Sequence, residues 1–247
     1  MVEVFKILQF KLKDWIIFKK IFTNINKIID EIVIECNPEG LYFKGIDKSH
    51  ICFFSGNISK NVFDEYFIDE ILYLYIDLED FVNVLKRGKS KDCLIFKGYS
   101  STFEIIFKNK NERNFVITQI DMDDNTRDLP PMDFSINFKI DFDFINDCLK
   151  DAELYSNIIT ISCDKDNLIL YCDGVKGEKY TNKYQLDEFI GECSATYSVD
   201  WLLKIFNTKL SSTNLNIEMG DDYPLLVTIE ENGVIMKYLL APRLSNE

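Results

Sequence analysis

The sequence has very little of the side-chain chemistry that most enzymes use. His50 is the only histidine in 247 residues, whereas most hydrolase and metalloenzyme sites need a histidine with an ordered partner or two histidine ligands. Gly88-Lys89-Ser90 is preceded by asparagine rather than glycine at position 83, so the Gly-x4-Gly-Lys-Ser/Thr phosphate-binding loop of nucleotide hydrolases is missing. A calcium loop beginning at Asp121 fails, because Thr126 and Met132 replace the required glycine and glutamate. We therefore predict a protein that is not an enzyme and that holds no metal and no cofactor.

Cysteine is present, but its spacing predicts neither a metal site nor a disulfide framework. The seven cysteines are odd in number, and no two of them are spaced as Cys-x2-Cys or Cys-x4-Cys. Most of them stand in apolar stretches, as Cys163 and Cys172 do. Free cysteine is among the residue types most often buried. We therefore predict that these cysteines are small core residues.

Long apolar runs, alanine and proline are also scarce. No apolar stretch approaches the ~20 residues of a membrane span, and the first residues do not resemble a signal peptide. We expect an intracellular protein without membrane contact, in the cytoplasm or nucleoid of a prokaryote or the nucleus of a eukaryote. Alanine occurs three times, against 20 phenylalanines and 12 tyrosines. Aromatic and β-branched residues favour strands, so we predict a chain rich in β-structure.

Positive charge is in the minority. Lysine and arginine number 28 and aspartate and glutamate 41, which gives a formal net charge of -13. A protein that is negative on average is repelled by nucleic-acid phosphates. The net charge does not say where the charges lie, so their distribution along the chain decides whether DNA is excluded.

The predicted elements repeat in two halves. Each half reads as a strand, a helix, a hairpin, further strands, a short helix and three more strands. Helical spacing covers residues 12–29, 78–87, 142–152 and 199–206. Asp77, Asp141 and Ser198 are the predicted N-caps, and a shift of 121 residues superimposes Asp77 on Ser198. We interpret the pattern as an internal duplication, with chance similarity between two β-rich halves as the alternative.

The duplication predicts two domains with a connector between them. We place the domains at 1–119 and 134–247, and the acidic stretch 120–133, which contains two prolines, as the connector. Two candidate edge strands carry charged residues, as solvated strand edges usually do. These residues are Lys108, Lys110 and Glu112 on the first edge, and Lys176, Glu178 and Lys179 on the second.

Four short motifs resemble the sliding clamps of the proliferating cell nuclear antigen (PCNA) family. They are residues 45–51 (GIDKSHI), 120–123 (IDMD), 223–227 (YPLLV) and 238–243 (YLLAPR). Their order and spacing carry the resemblance, which extends over essentially the whole chain. It implies an α+β fold of two similar domains, each with two helices on a curved antiparallel sheet. It also implies that three chains join edge to edge in a closed ring.

The resemblance implies a function as well as a fold. The ring would encircle duplex DNA without reading its sequence and would tether DNA polymerase and other replication and repair enzymes as a processivity factor. A clamp loader, a flap endonuclease and a ligase are further implied partners, the enzymes binding through short peptide motifs. Two alternatives stay open: a subunit of a checkpoint-type heterotrimeric clamp, and an unrelated acidic β-rich enzyme.

The DNA-facing residues implied by the resemblance lie around the helices, where basic residues are concentrated. They are Lys11, Lys13, Lys19, Lys20, Lys86, Arg87, Lys204 and Lys209. Lys19, Lys20 and Lys86 match basic positions of the family. At four further such positions the chain has Asn26, Asn83, Asn146 and Asp200. The third helical stretch is acidic, so we expect the first domain to contribute most, and the alternative for Lys19 and Lys20 is an ordinary solvated helix face.

The resemblance also implies an apolar pocket for the aromatic residues of partner peptides. Its residues, carried over position by position, are Ile46, His50, Ile51, Leu129, Pro130, Pro224, Leu239, Ala241 and Pro242. Trp201 is either a further wall of this pocket or a core residue, and we predict that Trp15 is core. The chain departs from the family pattern at two positions. Leu239 stands where many clamps have tyrosine, and Arg127 replaces an apolar connector residue.

Overall fold

The computed structural model describes residues 7–122, 131–188, 191–206 and 214–243. The elements of the first half are β1 Leu8–Leu12, α1 Ile16–Ile25, β2 Glu31–Asn37, β3 Gly40–Ile46, β4 Cys52–Ser59, β5 Glu65–Ile68, β6 Leu72–Asp77, α2 Leu78–Leu85, β7 Cys93–Gly98, β8 Thr102–Lys108 and β9 Glu112–Thr118. Those of the second half are β10 Ile136–Asp141, α3 Phe142–Glu153, β11 Ile158–Lys165, β12 Asn167–Asp173, β13 Lys179–Gln185, β14 Gly191–Ser198, α4 Val199–Ile205, β15 Asn214–Met219, β16 Leu225–Glu231 and β17 Val234–Leu240.

The strand order confirms that the two halves are built alike. In the first half the strands run β1-β7-β8-β9 and β4-β3-β2-β6. The second half repeats this as β10-β15-β16-β17 and β13-β12-β11-β14. Strand β5, which was not predicted, is the one addition in the described part of the chain, and it pairs antiparallel with β1. A repeated order of antiparallel strands is what a duplicated supersecondary unit predicts.

The chain divides into two compact units. The first comprises Met1–Ile46, Ser55–Arg127 and Glu231–Met236, and the second Asp47–Phe54, Asp128–Glu230 and Lys237–Glu247. The predicted domain limits at 119 and 134 stay a prediction. Each unit has its own aromatic core between sheet and helices. In the first, the ring of Phe22 on α1 lies 5.2 Å from that of Phe81 on α2; in the second, Phe142 on α3 lies 6.2 Å from Phe206.

Two of the three predicted N-caps make the expected hydrogen bond. Asp77 Oδ1 accepts the N–H of Asp80 at 2.9 Å, and Asp141 Oδ1 accepts that of Phe144 at 2.9 Å. Each carboxylate satisfies a backbone donor that the first helical turn leaves open. Ser198 stands at the N-cap of α4, but its side chain makes no capping bond.

The first helix is shorter than its apolar spacing predicts. It covers Ile16–Ile25 rather than 12–29, because Leu12 belongs to β1 and the chain turns after Asn26. Leu12 and Ile28 are nevertheless buried. Leu12 in the strand and Ile28 in the turn are core residues that happen to follow the helical spacing, which made the predicted helix too long. Trp15 is fully buried at the N-cap of α1, which confirms it as a core residue.

Both candidate edge strands lie at the end of a sheet. Among the described residues, β9 pairs only with β8, and β13 pairs only with β12. Charged side chains accompany both edges, with Lys108 Nζ 3.4 Å from Glu112 Oε2 and Lys179 Nζ 3.8 Å from Asp173 Oδ1. Each edge leaves a row of backbone donors and acceptors open to another strand.

Candidate functional site

Helix α1 has one apolar face and one basic face. Phe18, Ile21 and Phe22 are buried against the core of the first unit. Lys19 and Lys20 lie on the opposite side, and the helix contains no acidic residue in its first turn or beyond. Lys19 Nζ is 5.6 Å from the centroid of the Trp15 ring, which adds a cation–π attraction to its position. The exposed face of α1 therefore carries only positive charge.

Helix α2 separates its charges along its length. Glu79 and Asp80 lie in the first turn, whereas Lys86 is the C-cap and Arg87 follows it. Carboxylates at the N-terminus and cations at the C-terminus both complement the helix dipole. The basic residues of α2 are thus gathered at its C-terminal end, where Lys86 and Arg87 are exposed.

The loop after α2 is fixed to the sheet by a buried carboxylate that the sequence reasoning missed. Asp92 is 4% exposed, and its Oδ2 accepts from Arg113 Nη2 at 2.5 Å and from the N–H of Lys89 at 2.8 Å. Arg113 Nη1 also donates to the carbonyl of Arg87 at 2.9 Å. Trp15 Nε1 donates to the carbonyl of Asp92 at 3.0 Å. These four bonds hold the loop that carries Lys89 and Lys91.

We expect the change Arg113→Met to lower the free energy of unfolding by about 3 kcal/mol, because it leaves the Asp92 carboxylate buried without its partner. Urea denaturation measures the loss. The matched control is Lys108→Met, which breaks an exposed pair with Glu112 and is expected to cost less than about 1 kcal/mol. Equal losses in the two variants would contradict a structural role for the buried pair.

Lys11 and Lys13 are not part of the first helix, which corrects their predicted setting. Lys11 lies on β1, with its Nζ 2.9 Å from Glu65 Oε1, and Lys13 Nζ is 3.3 Å from Asp64 Oδ1 in the turn before α1. The backbone N–H of Lys13 donates to Asp64 Oδ2 at 2.7 Å. That bond, with the Lys13 ammonium group, holds the pKa of Asp64 below its usual value. Both lysines are thus paired with carboxylates.

The helices of the second unit are less basic. On α3, Asp143, Asp147, Asp151 and Glu153 accompany a single lysine, Lys150. On α4, Lys204 Nζ lies 4.1 Å from the centroid of the Trp201 ring. Lys209 lies outside the described residues. Among the described residues, the basic residues of the helices are therefore concentrated in the first half, and the larger contribution of the first domain to DNA binding stays a prediction.

The loop after β3 is organised by the carboxylate of Asp47. This side chain is 4% exposed. Its Oδ1 accepts the N–H groups of Ile51 and Cys52 at 2.7 and 2.6 Å, and its Oδ2 accepts that of Ser49 at 2.8 Å. His50 has a φ of +56°, a left-handed conformation that is uncommon outside glycine. Asp47 thereby sets the path of the loop that presents His50 and Ile51. Burial, followed by the Asp47 charge, raises the pKa of Cys52 to about 12.

The C-terminal segment and the segment before β16, which contains Pro224, join the same network in the second unit. The N–H of Ala241 donates to the carbonyl of Ile51 at 2.9 Å, and that of Arg243 to the carbonyl of Thr196 at 2.7 Å. Tyr197, the next residue, donates its hydroxyl hydrogen to the carbonyl of Tyr223 at 2.7 Å. Pro224 follows Tyr223 directly.

These contacts bring together part of the predicted pocket. Ile51, Pro224, Leu239, Ala241 and Pro242 are all partly exposed, and His50 is exposed. Ile46 is 39% exposed at the end of β3. Leu129 and Pro130 lie outside the described residues, as does Arg127. The motif around Asp47 was visible in the sequence, but the hydrogen bonds of its carboxylate were not predicted.

Other kinds of site find no support in the described part of the chain. No group of three or more His, Cys, Asp or Glu side chains there could hold a metal ion. The seven cysteines are free, and all except Cys93 are buried, which confirms their predicted place in the core. Within the same residues, no helix is long and apolar enough to cross a membrane.

Comparison with known proteins assigns the family. The model of the N-terminal domain of proliferating cell nuclear antigen matches residues 7–129. The DNA polymerase sliding clamp of Methanothermobacter thermautotrophicus is 29% identical over 240 residues, which cover 96% of this chain and 98% of that protein. The DNA polymerase sliding clamp of Methanococcus maripaludis strain C6 is 30% identical over 241 residues, which cover 93% of this chain and 96% of that protein. The chain belongs to the PCNA family.

A solved structure of the PCNA family has the same fold. The proliferating cell nuclear antigen of Entamoeba histolytica superimposes with a TM-score of 0.90, covering 97% of this chain and 100% of that one at 18% identity. This confirms the predicted α+β arrangement of repeated sheets with two helices in each half. The four non-basic residues singled out against the PCNA pattern all belong to helices or a helix end. Asn26 is the C-cap of α1, Asn83 lies on α2, Asn146 on α3 and Asp200 on α4.

Proposed function

We propose that copies of this chain form a closed ring around duplex DNA and tether DNA polymerase to its template. The observation that carries the proposal is the basic face of α1, continued by Lys86 and Arg87, in a chain whose formal net charge is -13. Membership of the PCNA family supports the same function. A protein of this kind acts inside the cell, on chromosomal DNA, as a scaffold rather than as a catalyst.

The charge distribution suits a ring that slides. Lysine side chains that contact phosphates provide binding without sequence preference and with a strong dependence on salt. The acidic remainder of the chain repels DNA that approaches elsewhere. DNA is therefore expected to be held where α1 and the end of α2 face it, and threading through the ring is the route to that position.

The ring itself is proposed to close through the two open strand edges. A contact between β9 of one copy and β13 of the next is heterologous, and such contacts close into a ring when the rotation between copies allows it. Basic and acidic side chains accompany both edges, as with Lys108 and Glu112 beside β9 and Lys179 on β13. We propose a homotrimer, with the checkpoint-type heterotrimer as the second candidate.

Mass measurement in solution tests the assembly, and DNA topology tests the function. We expect a species of three times 28.9 kDa. Once loaded on a nicked circle, this species is expected to stay bound and to be lost when the circle is cut. A strict monomer at high concentration would contradict the homotrimer, and equal retention on linear and circular DNA would contradict the ring.

We further propose that the surface formed by the Asp47 loop, Pro224 and the C-terminal segment binds short peptides of DNA polymerase and of other DNA enzymes, including a flap endonuclease and a ligase. Aromatic anchors that enter a desolvated pocket supply most of the affinity in such interfaces. Backbone pairing with the segment after β17 would add directionality. Residues 129 and 130 of the connector are proposed to complete the pocket.

Truncating Ile51 is expected to weaken the binding of a polymerase tail peptide about tenfold, because one buried aliphatic contact in the pocket is worth roughly 1–2 kcal/mol. Isothermal titration calorimetry of Ile51→Ala measures this. Ile158→Ala, which truncates a 40% exposed isoleucine on β11, is the matched control and should bind normally. Unchanged affinity in Ile51→Ala would contradict the proposed pocket, as would an equal loss in the control.

A further inference from the structure

Two cysteines of the second unit face each other across neighbouring strands. The antiparallel register of β11 and β14 aligns Cys163 with Cys193. Both are buried, at 3% and 5% exposure, together with their alternate neighbours Ile161 and Ala195. Side chains at alternate positions lie on one face of a sheet. The two thiols therefore point to the same side, into the core of the second unit.

The hydrogen bonds of β14 show that Cys163 and Cys193 are a hydrogen-bonded pair of the antiparallel ladder. Ser194 and Thr196 turn their backbone groups away from β11, since the Ser194 carbonyl accepts from Asp222 and the Thr196 carbonyl from Arg243. Residues at the intervening positions, including Cys193, thus bond to β11. The Cα atoms of such a pair lie about 5.5 Å apart, within the range of about 4.4–6.8 Å that a disulfide spans.

The two sulfur atoms already interact as thiols. A hydrogen bond from Cys163 lowers the pKa of Cys193 and raises the pKa of Cys163 in return. The thiolate is the nucleophile in disulfide exchange. Cys193 is therefore the thiol that reacts first.

We propose that Cys163 and Cys193 are a redox modification site, at which a low-molecular-weight disulfide converts the folded chain to a reversible cross-strand disulfide. The Cys193 thiolate attacks one sulfur of the reagent and releases the first thiolate. The Cys163 thiol then loses its proton, and its sulfur attacks Cys193 and releases the second. Two protein thiols are oxidised, and one small disulfide is reduced to two thiols.

The position of β14 explains both the access to the pair and the effect of the bond. This strand is the outermost of its four-stranded sheet, and it begins at Gly191, two residues before Cys193. Opening of this end exposes Cys193 without unfolding the unit. Once formed, the disulfide would link β14 covalently to β11. It would thereby restrain β14, whose Thr196 carbonyl accepts from Arg243 and which leads into α4.

The experiment compares the full folded chain in oxidised glutathione and in dithiothreitol. We expect a mass loss of about 2 Da, as two thiols become a disulfide, and a non-reduced peptide map that joins Cys163 to Cys193. Amide exchange in residues 191–198 should slow by about tenfold or more, as a covalent link between the strands opposes their opening. Dithiothreitol should reverse all three changes.

Three variants make the test specific. Cys163→Ala and Cys193→Ala should each lose the linked peptide and the slower exchange. Cys172→Ala, which alters a buried cysteine on β12 of the same sheet opposite Tyr180, should retain both. The proposal is overturned by linkage only in urea-unfolded protein, by linkage to another cysteine, or by a stable glutathione adduct without the cross-link. Unchanged amide exchange in the cross-linked chain would overturn the claim that the disulfide restrains β14.

Discussion

Replacing Lys19, Lys20 and Lys86 together with glutamate is expected to abolish the retention of the ring on nicked circular DNA. Three charge reversals in each chain remove phosphate contacts. They place two repulsive carboxylates on α1, which has no acidic residue, and one at the C-terminal end of α2. A protein that neutralises several phosphates loses orders of magnitude of affinity when those contacts go, so we expect a loss of about 100-fold or more. Retention is measured by gel filtration of the ring after it has been loaded on nicked circles, repeated over a range of salt concentrations.

The matched control has the same change of charge at a different place. Lys139, Lys165 and Lys237 are exposed lysines on β10, β11 and β17, and their replacement by glutamate should leave retention largely intact. Both triple variants should keep the mass of the wild-type assembly. Undiminished retention of the helix variant at low salt would contradict the assignment. Equal loss in the control would show that net charge, and not its position, determines binding.

Asp47→Ala is expected to lower the free energy of unfolding by about 3–5 kcal/mol, since it removes the buried acceptor of three backbone N–H groups. In folded protein the loop should also lose its defined path, so that His50 leaves its left-handed conformation and Ile51 no longer accepts from Ala241. The affinity for a polymerase peptide should fall at least as far as in Ile51→Ala. Chemical denaturation measures the first effect and calorimetry, below the unfolding transition, the second.

The control for Asp47 is Asp164→Ala, which removes an exposed carboxylate from β11. It should change stability by less than about 0.5 kcal/mol, as surface substitutions usually do. Asp47→Asn should recover part of the loss, because the amide retains one acceptor oxygen. A normal peptide affinity in Asp47→Ala would show that the loop does not depend on this carboxylate.

The features that were predictable from sequence are local in their cause. Asp77 and Asp141 indicate the starts of α2 and α3, because an N-cap needs only the capping side chain and the backbone N–H three positions later. Hairpins such as β2–β3 and β11–β12 follow from short apolar runs with turn residues between them. The order of these elements, repeated twice, was enough to predict a duplicated architecture, whereas the α+β fold class was implied by the resemblance to the PCNA family.

The features that were missed depend on residues far apart in the chain. Arg113 and Asp92 are separated by 21 positions, and no spacing rule links them. From the sequence, Lys11 was grouped with the cations of the first helix. The pairing of β1 with β5 instead places Lys11 beside Glu65. Strand β5 has only four residues and owes its existence to pairing with β1. In each case the tertiary partner, rather than local propensity, decides the outcome.

If the ring closes through β9 as proposed, the position of Arg113 would link assembly to the entropy of DNA binding. Arg113 belongs to β9, the outer strand, and at the same time holds the loop that carries Lys89 and Lys91 through Asp92 and the Arg87 carbonyl. A neighbouring strand on that edge would suppress the fraying of β9, and the loop would lose freedom with it. The cations of an assembled ring would then be ordered before DNA arrives. They would lose less conformational entropy on meeting phosphates than the same cations of an isolated subunit.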